Sequence, residues 1–288
     1  MTEAGYLGLG RMGSSIARRM LDSGIDLTVW NRSRSVAQDD LVAAGAVVAE
    51  TAAEALAKPV SFSMLADDSA AEMVLSRESI GAAGGPRIHA NMASVSAEMG
   101  ARLSRRFADA GVAYVAAPVL GRPEVAAEGK LNILLGGPSD ALDAIDRYLA
   151  PCSVKRWRLG NEPRQANAVK ISMNLMVLHA VASMSEGIAL VEAEGVSARE
   201  FVDLFTSTFF GGVVHSVYGG IIADRCYEPP GFTVALGLKD LSLAERLAAE
   251  SRLELPLTPA IRARFETALA DAQLAHLDWS AIAELGRR

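Results

Sequence analysis

Up to about residue 160 the chain alternates short apolar runs with longer stretches in which apolar positions recur every three or four residues. The runs at 5–9, 26–30, 60–65, 87–91 and 112–116 are largely apolar on both faces, as parallel strands covered on two sides should be. A further pair, 131–135 and 154–157, is expected at the edge of the same sheet. Between the strands, 12–21 and 96–110 have the spacing of amphipathic helices. Beyond residue 162 the strand pattern fades, and a helical pattern runs unbroken from 164 to 194 with no Pro or Gly before Gly187. At about 1.5 Å per residue such a helix extends roughly 45 Å, too long for one small domain to cover. It is expected to bury itself against other helices and a second subunit. Further helices are expected at 198–205, 236–250 and 259–274, with breaks at Gly211-Gly212, Gly219-Gly220, Pro229-Pro230 and Pro256. There is no internal repeat and no low-complexity linker. The pattern predicts an α/β protein: an N-terminal Rossmann doubly wound sheet over 1–161, then an all-α C-terminal domain over 162–288 built on the long interdomain helix.

Composition narrows the function classes. The 288 residues include 28 basic and 34 acidic side chains, a net charge of −6, with no long single-sign block. That balance argues against nucleic acid and anionic membrane surfaces as partners and leaves a small-molecule substrate. Cys152 and Cys226 stand in unrelated contexts and the four histidines are scattered, so neither a disulfide framework nor a metal site is expected. No basic leader precedes the first strand. The longest apolar tract, 175–191, is interrupted by His179, Ser183, Ser185 and Glu186, which is unlike a membrane span. A soluble, cytoplasmic protein is expected.

The first strand runs into Gly8-Leu9-Gly10-Arg11-Met12-Gly13, a GxGxxG pattern at the mouth of a helix. The first glycine permits a tight turn, the second lets a pyrophosphate approach the backbone, and the third lets helix and strand pack closely. The helix N-terminus offers free N–H groups and a positive dipole end to phosphate. The second strand ends in Asn31-Arg32-Ser33, with no carboxylate where an NAD-binding domain presents one to the ribose hydroxyls. Arg32, with Asn31 and Ser33, can instead make charge-assisted hydrogen bonds to a 2′-phosphate, so NADP(H) is the expected cofactor.

On the long helix, Lys170 and Asn174 are four apart and share one face, beside an apolar stripe of Val169, Met173, Val177 and Met184. A lysine buried among such residues needs a partner or a task, and desolvation lowers an amine's pKa toward the range useful in acid/base catalysis. A lysine beside an apolar stripe can also simply snorkel to water. Spacing alone leaves both readings open.

Together these residues resemble the β-hydroxyacid dehydrogenase family, which includes 3-hydroxyisobutyrate dehydrogenases, tartronate semialdehyde reductases and glyoxylate reductases. The likeness runs from Gly5 to about Ala244. Gly8 to Gly13 resembles the family's cofactor loop, and Met64-Leu65-Ala66-Asp67-Asp68 the loop lining the cofactor after the strand that begins at Val60. Ala93-Ser94-Val95-Ser96 stands where the family has a Ser-Thr pair beside the nicotinamide. Ala117-Pro118-Val119-Leu120-Gly121-Arg122, followed by Gly129 and Gly136-Gly137, resembles the substrate loop and the strand after it. Lys170 and Asn174 fall on the family's catalytic lysine and substrate-binding asparagine, and Lys239 in Leu238-Lys239-Asp240-Leu241 on a lysine that reaches the cofactor.

The resemblance implies hydride transfer between NADP(H) and a small aldehyde, keto acid or hydroxy acid. Lys170 would be the general acid/base, Asn174 would orient the reacting oxygen, and Ser94 would hold nicotinamide and substrate. A homodimer or homotetramer is expected. Departures leave the acceptor open. Leu120 and Arg122 replace a serine and a glycine of the acid dehydrogenases, and Asn91 and Ala93 replace the more usual Asp and Ser. The wording Pro118-Val119-Leu120-Gly121-Arg122-Pro123 is similar to loops of imine reductases and reductive aminases, which generally lack a lysine at position 170. Reduction of a C=N substrate, favoured by Leu120 and the apolar Phe209-Phe210, is therefore the second reading. Arg122 taking a substrate carboxylate would instead favour an acid. A non-catalytic NADPH-binding protein resembling a chromatin reader is a third, against which the retained lysine and the lack of a basic tail speak. Among other candidates, His89 reads as structural, His179 as core or subunit interface, and His215 stays open for substrate contact. His276, Trp157, Trp279 and both cysteines read as ordinary packing or surface.

Overall fold

The structure is a computed structural model that describes residues 2–84 and 88–287. Contacts divide the chain into two compact units, Met1–Lys170 and Ile171–Arg288, and the division falls inside the long helix, after the 161/162 boundary expected from the pattern.

In the first unit nine strands form one sheet: β1 (Glu3–Leu7), β2 (Asp26–Trp30), β3 (Val47–Val48), β4 (Val60–Ser63), β5 (Ile88–Asn91), β6 (Ala113–Ala116), β7 (Val119–Leu120), β8 (Leu131–Gly136) and β9 (Ser153–Gly160). The order β3-β2-β1-β4-β5-β6 is parallel throughout, the Rossmann arrangement, and β8 joins β6 and β7 antiparallel. Strand order reverses between β1 and β4. The expected strand starting at 87 begins at Ile88 among the described residues, since Arg87 lies outside them. The pair expected at the edge ends the sheet, with β9 outermost; β8 pairs with β9 on one side and meets β6 and β7 on the other. A mainly apolar run such as Leu131–Gly136 can be edge or interior; pairing with β6 and β7 on one side and β9 on the other makes it interior.

Helices cover both faces: α1 (Arg11–Asp22), α2 (Val36–Ala43), α3 (Ala52–Leu56), α4 (Asp68–Val74), α5 (Arg77–Ala82), α6 (Ala97–Asp109), α7 (Pro123–Ala127) and α8 (Ser139–Leu149). Most start where a hydroxyl or carboxylate accepts a first-turn N–H: Ser35, Thr51, Asp67, Ser76 and Ser96 cap α2 to α6. One sheet face buries Tyr6, Phe62 and Ile133 against Ile16, Met20, Ile145 and Tyr148; the other buries Leu7 and Tyr114 against Leu103 and Phe107.

The second unit is helical. The long helix α9 (Pro163–Ala193) continues into it, followed by α10 (Ala198–Ser207), α11 (Val213–Asp224), α12 (Val234–Glu250), α13 (Thr258–Ala270) and a closing 3₁₀ segment, Trp279–Gly286. Its core gathers Leu178, Val181, Ile188, Ile222, Leu241, Phe265 and Trp279. The expected break at Gly219-Gly220 is absent, and α11 passes through both. A Cβ on Gly219 would lie 3.0 Å from Val202 and 3.3 Å from Phe205, so this glycine serves close packing of α11 on α10. Helix α9 is, by length and a mean hydropathy of 1.4 over 18 residues, apolar enough to cross a membrane, contrary to what its polar interruptions suggested. Core helices of water-soluble proteins pass the same test, and α9 buries Asn167, Lys170, Asn174 and Ser185.

His89 is fully buried within the sheet and stacked on Phe107 with ring centroids 4.6 Å apart, which agrees with a structural role. Burial pushes its imidazolium pKa down to about 3. The unfolded chain therefore takes up a proton near pH 6.5 that the folded chain refuses until about pH 3. Stability is full above pH 6.5 and falls with acidification across that window, approaching about 1.4 kcal/mol per pH unit. Urea unfolding between pH 7 and pH 5, before most carboxylates titrate, should show this slope, and His89→Gln should remove most of it.

Candidate active site

The glycine turn divides its labour in a way the structure makes visible. Gly8 sits at φ +94°, and a Cβ there would meet the Met64 carbonyl oxygen at 2.3 Å; a Cβ on Gly13 would meet the Gly8 carbonyl oxygen at 2.1 Å. Both glycines are demanded by protein packing. Gly10 is different: its backbone is extended, it is exposed, and nothing lies within 4 Å of where its Cβ would be. It caps α1 without any side-chain acceptor, and no acidic residue occupies the first turn. The helix N-terminus thus presents N–H groups and partial positive charge to open space, an arrangement that fits the pyrophosphate of a dinucleotide. Arg11 and Met12 flank it, the former 3.5 Å from Glu124.

Leu9 is placed differently from a ligand contact. Its side chain is buried in the core and its N–H donates to Asn31 Oδ1 at 3.0 Å. Asn31 Nδ2 in turn donates to the Ser33 carbonyl at 2.8 Å, so Asn31 braces the glycine turn against the end of β2. Arg32 and Ser33 are exposed beside it. Met64 and Leu65 are half-buried and Ala66 is exposed; Met64 N–H donates to the Leu7 carbonyl at 2.8 Å and backs the turn.

Ser94 lies half-buried in the loop after β5, flanked by buried residues, and its hydroxyl makes no hydrogen bond among the described residues. Leu120 and Val169 both pack against the cluster Ala116, Leu134 and Ala166, which brings the loop expected to bind substrate alongside the helix residue preceding Lys170. Gly121 has φ +147° and a Cβ there would reach Leu131 at 2.6 Å. Arg122 is three-quarters buried and lies 3.8 Å from Glu124, the carboxylate that also faces Arg11. Lys170 is 6% exposed and therefore does not snorkel to water.

Four residues on along the same helix, in the second unit, Asn174 Nδ2 donates to Asp240 Oδ2 at 2.6 Å. A carboxylate only accepts, so this contact fixes which end of the amide faces it and leaves the Asn174 carbonyl oxygen available. Lys239 Nζ stands 3.3 Å from the other Asp240 oxygen, and Asp240 is 4% exposed. Asp240 was not among the residues expected at the site, although the sequence Lys239-Asp240 inside an apolar helix is a signal in itself. The His215 and Phe210 rings lie tilted with centroids 5.5 Å apart; Phe209 and Phe210 are exposed. His276 faces Glu228 at the surface, Trp279 is core, and Trp157 is exposed. The described residues hold no cluster of His, Cys, Asp or Glu suited to a metal.

Comparisons with known proteins bear on the family and the fold. Residues 3–160 match the NAD binding domain of 6-phosphogluconate dehydrogenase, and 165–285 the NAD-binding region of NADP-dependent 3-hydroxyisobutyrate dehydrogenase. The chain is 36% identical over 279 residues to the uncharacterized oxidoreductase YfjR of Bacillus subtilis, covering 96% of each. It is 29% identical to glyoxylate/succinic semialdehyde reductase 1 of Arabidopsis thaliana, covering 98% of this chain and 97% of that one. The solved Mycobacterium tuberculosis 3-hydroxyisobutyrate dehydrogenase with L-serine superposes at a TM-score of 0.89, covering 100% of both chains at 24% identity, a likeness of fold. An imine reductase from Streptomyces aurantiacus superposes at 0.66 with 25% identity, again over 100% of both chains.

The contrast among the glycines is directly testable. Gly10→Ala should leave the unfolding midpoint unchanged and weaken dinucleotide binding at least tenfold, whereas Gly13→Ala should destabilise the fold itself by several kcal/mol through backbone overpacking. Calorimetry of both variants, by unfolding and by cofactor titration, separates the two effects.

Proposed function

Since the chain belongs to the β-hydroxyacid dehydrogenase family, we propose that it is an NADPH-dependent reductase of small aldehydes and keto acids, with Lys170 as general acid/base. The observation that carries this reading is a lysine with 6% exposure on the helix beside the Leu120 loop, where only a partner or a proton-transfer task repays its burial. The open cradle at Gly10, the α1 N-terminus and exposed Arg32 and Ser33 would hold the dinucleotide, with Met64, Leu65 and Ala66 as further contacts. The bound nicotinamide supplies or receives the hydride.

The chain's own residues do the rest. Lys170 as ammonium donates a proton to the carbonyl oxygen as it gains charge; in the reverse direction the neutral amine takes the hydroxyl proton. The Asn174 carbonyl oxygen, aimed by Asp240, accepts the hydrogen bond of the product hydroxyl. Ser94, whose hydroxyl is uncommitted, holds the reacting group, while Leu120 and Gly121 shape the pocket. Arg122 pairs with the substrate carboxylate in competition with Glu124. Two features support the carbonyl reading over reduction of an imine: the retained lysine, and the relative in Arabidopsis named for glyoxylate and succinic semialdehyde. NADP is supported by the absence of a carboxylate at the end of β2 and by the NADP-dependent family matched over 165–285. We further propose a cytoplasmic homodimer or homotetramer, in which a second copy covers exposed Leu204, Phe209 and Val213.

Three outcomes test this. Lys170→Met should cost roughly 10²- to 10⁴-fold in kcat on glyoxylate or succinic semialdehyde, and turnover within a few-fold of wild type would sink the assignment. Arg32→Ala should weaken NADPH binding about tenfold and leave NADH binding unchanged, as loss of a charge-assisted hydrogen bond requires. Arg122→Met should raise KM for these carboxylate-bearing aldehydes but not for neutral ones. A panel that includes cyclic imines decides the rest, since activity on imines alone would replace the carbonyl reading.

A further inference from the structure

A line of buried polar side chains crosses the sheet beneath the Ser94 loop, and nothing in the proposed chemistry uses it. Parallel register sets Ser61 beside His89, Ser63 beside Asn91 and His89 beside Tyr114, so the five side chains share one face of β4, β5 and β6. All are buried. Ser61 Oγ lies 2.7 Å from His89 Nδ1, Ser63 Oγ 3.0 Å from His89 Nε2 and 3.4 Å from Asn91 Oδ1, and Asn91 Nδ2 donates to Tyr114 Oη at 3.1 Å. The Ala93 N–H donates to Asn91 Oδ1 at 3.0 Å.

Proton counting gives this line a direction. A backbone N–H can only donate, so Asn91 must turn Oδ1 toward Ala93 and its amide nitrogen toward Tyr114. Ser63 must then spend its single proton on Oδ1, and its oxygen accepts from His89 Nε2–H. A neutral ring with hydrogen on Nε2 has a bare Nδ1, which accepts from Ser61. Every member has a partner, the condition under which a buried network rigidifies its surroundings. The far end of the same loop is held independently, where Ser96 N–H donates to Asp68 Oδ1 at 2.9 Å. Between these anchors stands Ser94, with its hydroxyl uncommitted.

We propose that the line Ser61–His89–Ser63–Asn91–Tyr114 is a positioning device that fixes the 92–96 loop and presents Ser94 to nicotinamide and substrate, with Asn91 as the positioning residue. What Ser94 touches rests on the proposed function; the fixing of the loop is a property of the chain without ligand. A network that only held the sheet together would end within the sheet, whereas this one ends on a loop amide. Asp at position 91 can replace Asn: its carboxylate accepts from Ala93 and Ser63, and Tyr114 can rotate its hydroxyl to donate.

The test is amide hydrogen exchange of the full chain, with and without NADPH, combined with a kinetic cycle. In Asn91→Ala the Ala93 amide should exchange at least tenfold faster while those of Phe62 and Leu103 are unchanged. NADPH should protect Ser94 and Val95 in the wild type and not in this variant, and Asn91→Asp should restore both. In kinetics Asn91→Ala should lose at least tenfold in kcat, as a small misplacement of a reacting group does, with KM for NADPH within threefold. In a Ser94→Ala background the same change should cost less than twofold. Unchanged exchange at Ala93, or an equal kcat loss in both backgrounds, overturns the proposal. A wild type that turns over no carbonyl defeats the proposed function instead, and exchange with NADPH then still decides the loop. If Asn91→Ala does not fold, Tyr114→Phe removes the acceptor for the Asn91 amide and carries the same comparison.

Discussion

The contact on which the first unit turns is the meeting of Gly13 with the carbonyl of Gly8. Helix α1 can start where it does because neither residue has a Cβ, and the Met64 carbonyl backs the same turn. With backbone packed on backbone, no side chain is left to fill the space at Gly10 or to cap the helix. The first turn of α1 has neither a side-chain cap nor an acidic residue. An anion bound there, as proposed, would meet packing that is complete without it, so that the fold and the proposed cofactor site would be one construction.

Helix α9 applies a second constraint. Buried polar residues in so apolar a helix are costly unless they find a partner. Asn174 is answered by Asp240, and Asp240 by Lys239. Lys170 is buried on the same helix, near where Leu120 and Val169 share a small cluster. Charged groups held out of water in this way are preorganised to move a proton with little rearrangement, which suits a reaction whose only new charge appears on one oxygen.

How much of this could be read from the sequence depends on how local each demand is. Gly8, Gly10 and Gly13 answer a turn, and turn chemistry is written in adjacent residues. Five of the first six parallel strands are legible as apolar runs alternating with helices; the two-residue β3 is not. The interior place of β8 is not legible either, because it depends on pairing with β6 and β7 on one side and β9 on the other, and the helical course of α11 through Gly219 depends on Val202 and Phe205 of a neighbouring helix. Asp240 and Asn174 meet across 66 positions of sequence. The line from Ser61 to Tyr114 showed only as polar residues at alternate positions inside apolar runs, because its hydrogen bonds exist only once three strands take up register.

The central claim is that hydride passes between NADPH and the carbonyl carbon of a small aldehyde or keto acid. The most direct measurement is the fate of label from NADPH deuterated at both C4 positions, incubated with the wild-type chain and succinic semialdehyde or glyoxylate. The account predicts one deuterium on the carbinol carbon of the hydroxy acid, bound to carbon and not exchanged with water. A hydroxy acid without that deuterium, or no labelled hydroxy acid from either substrate, would contradict it.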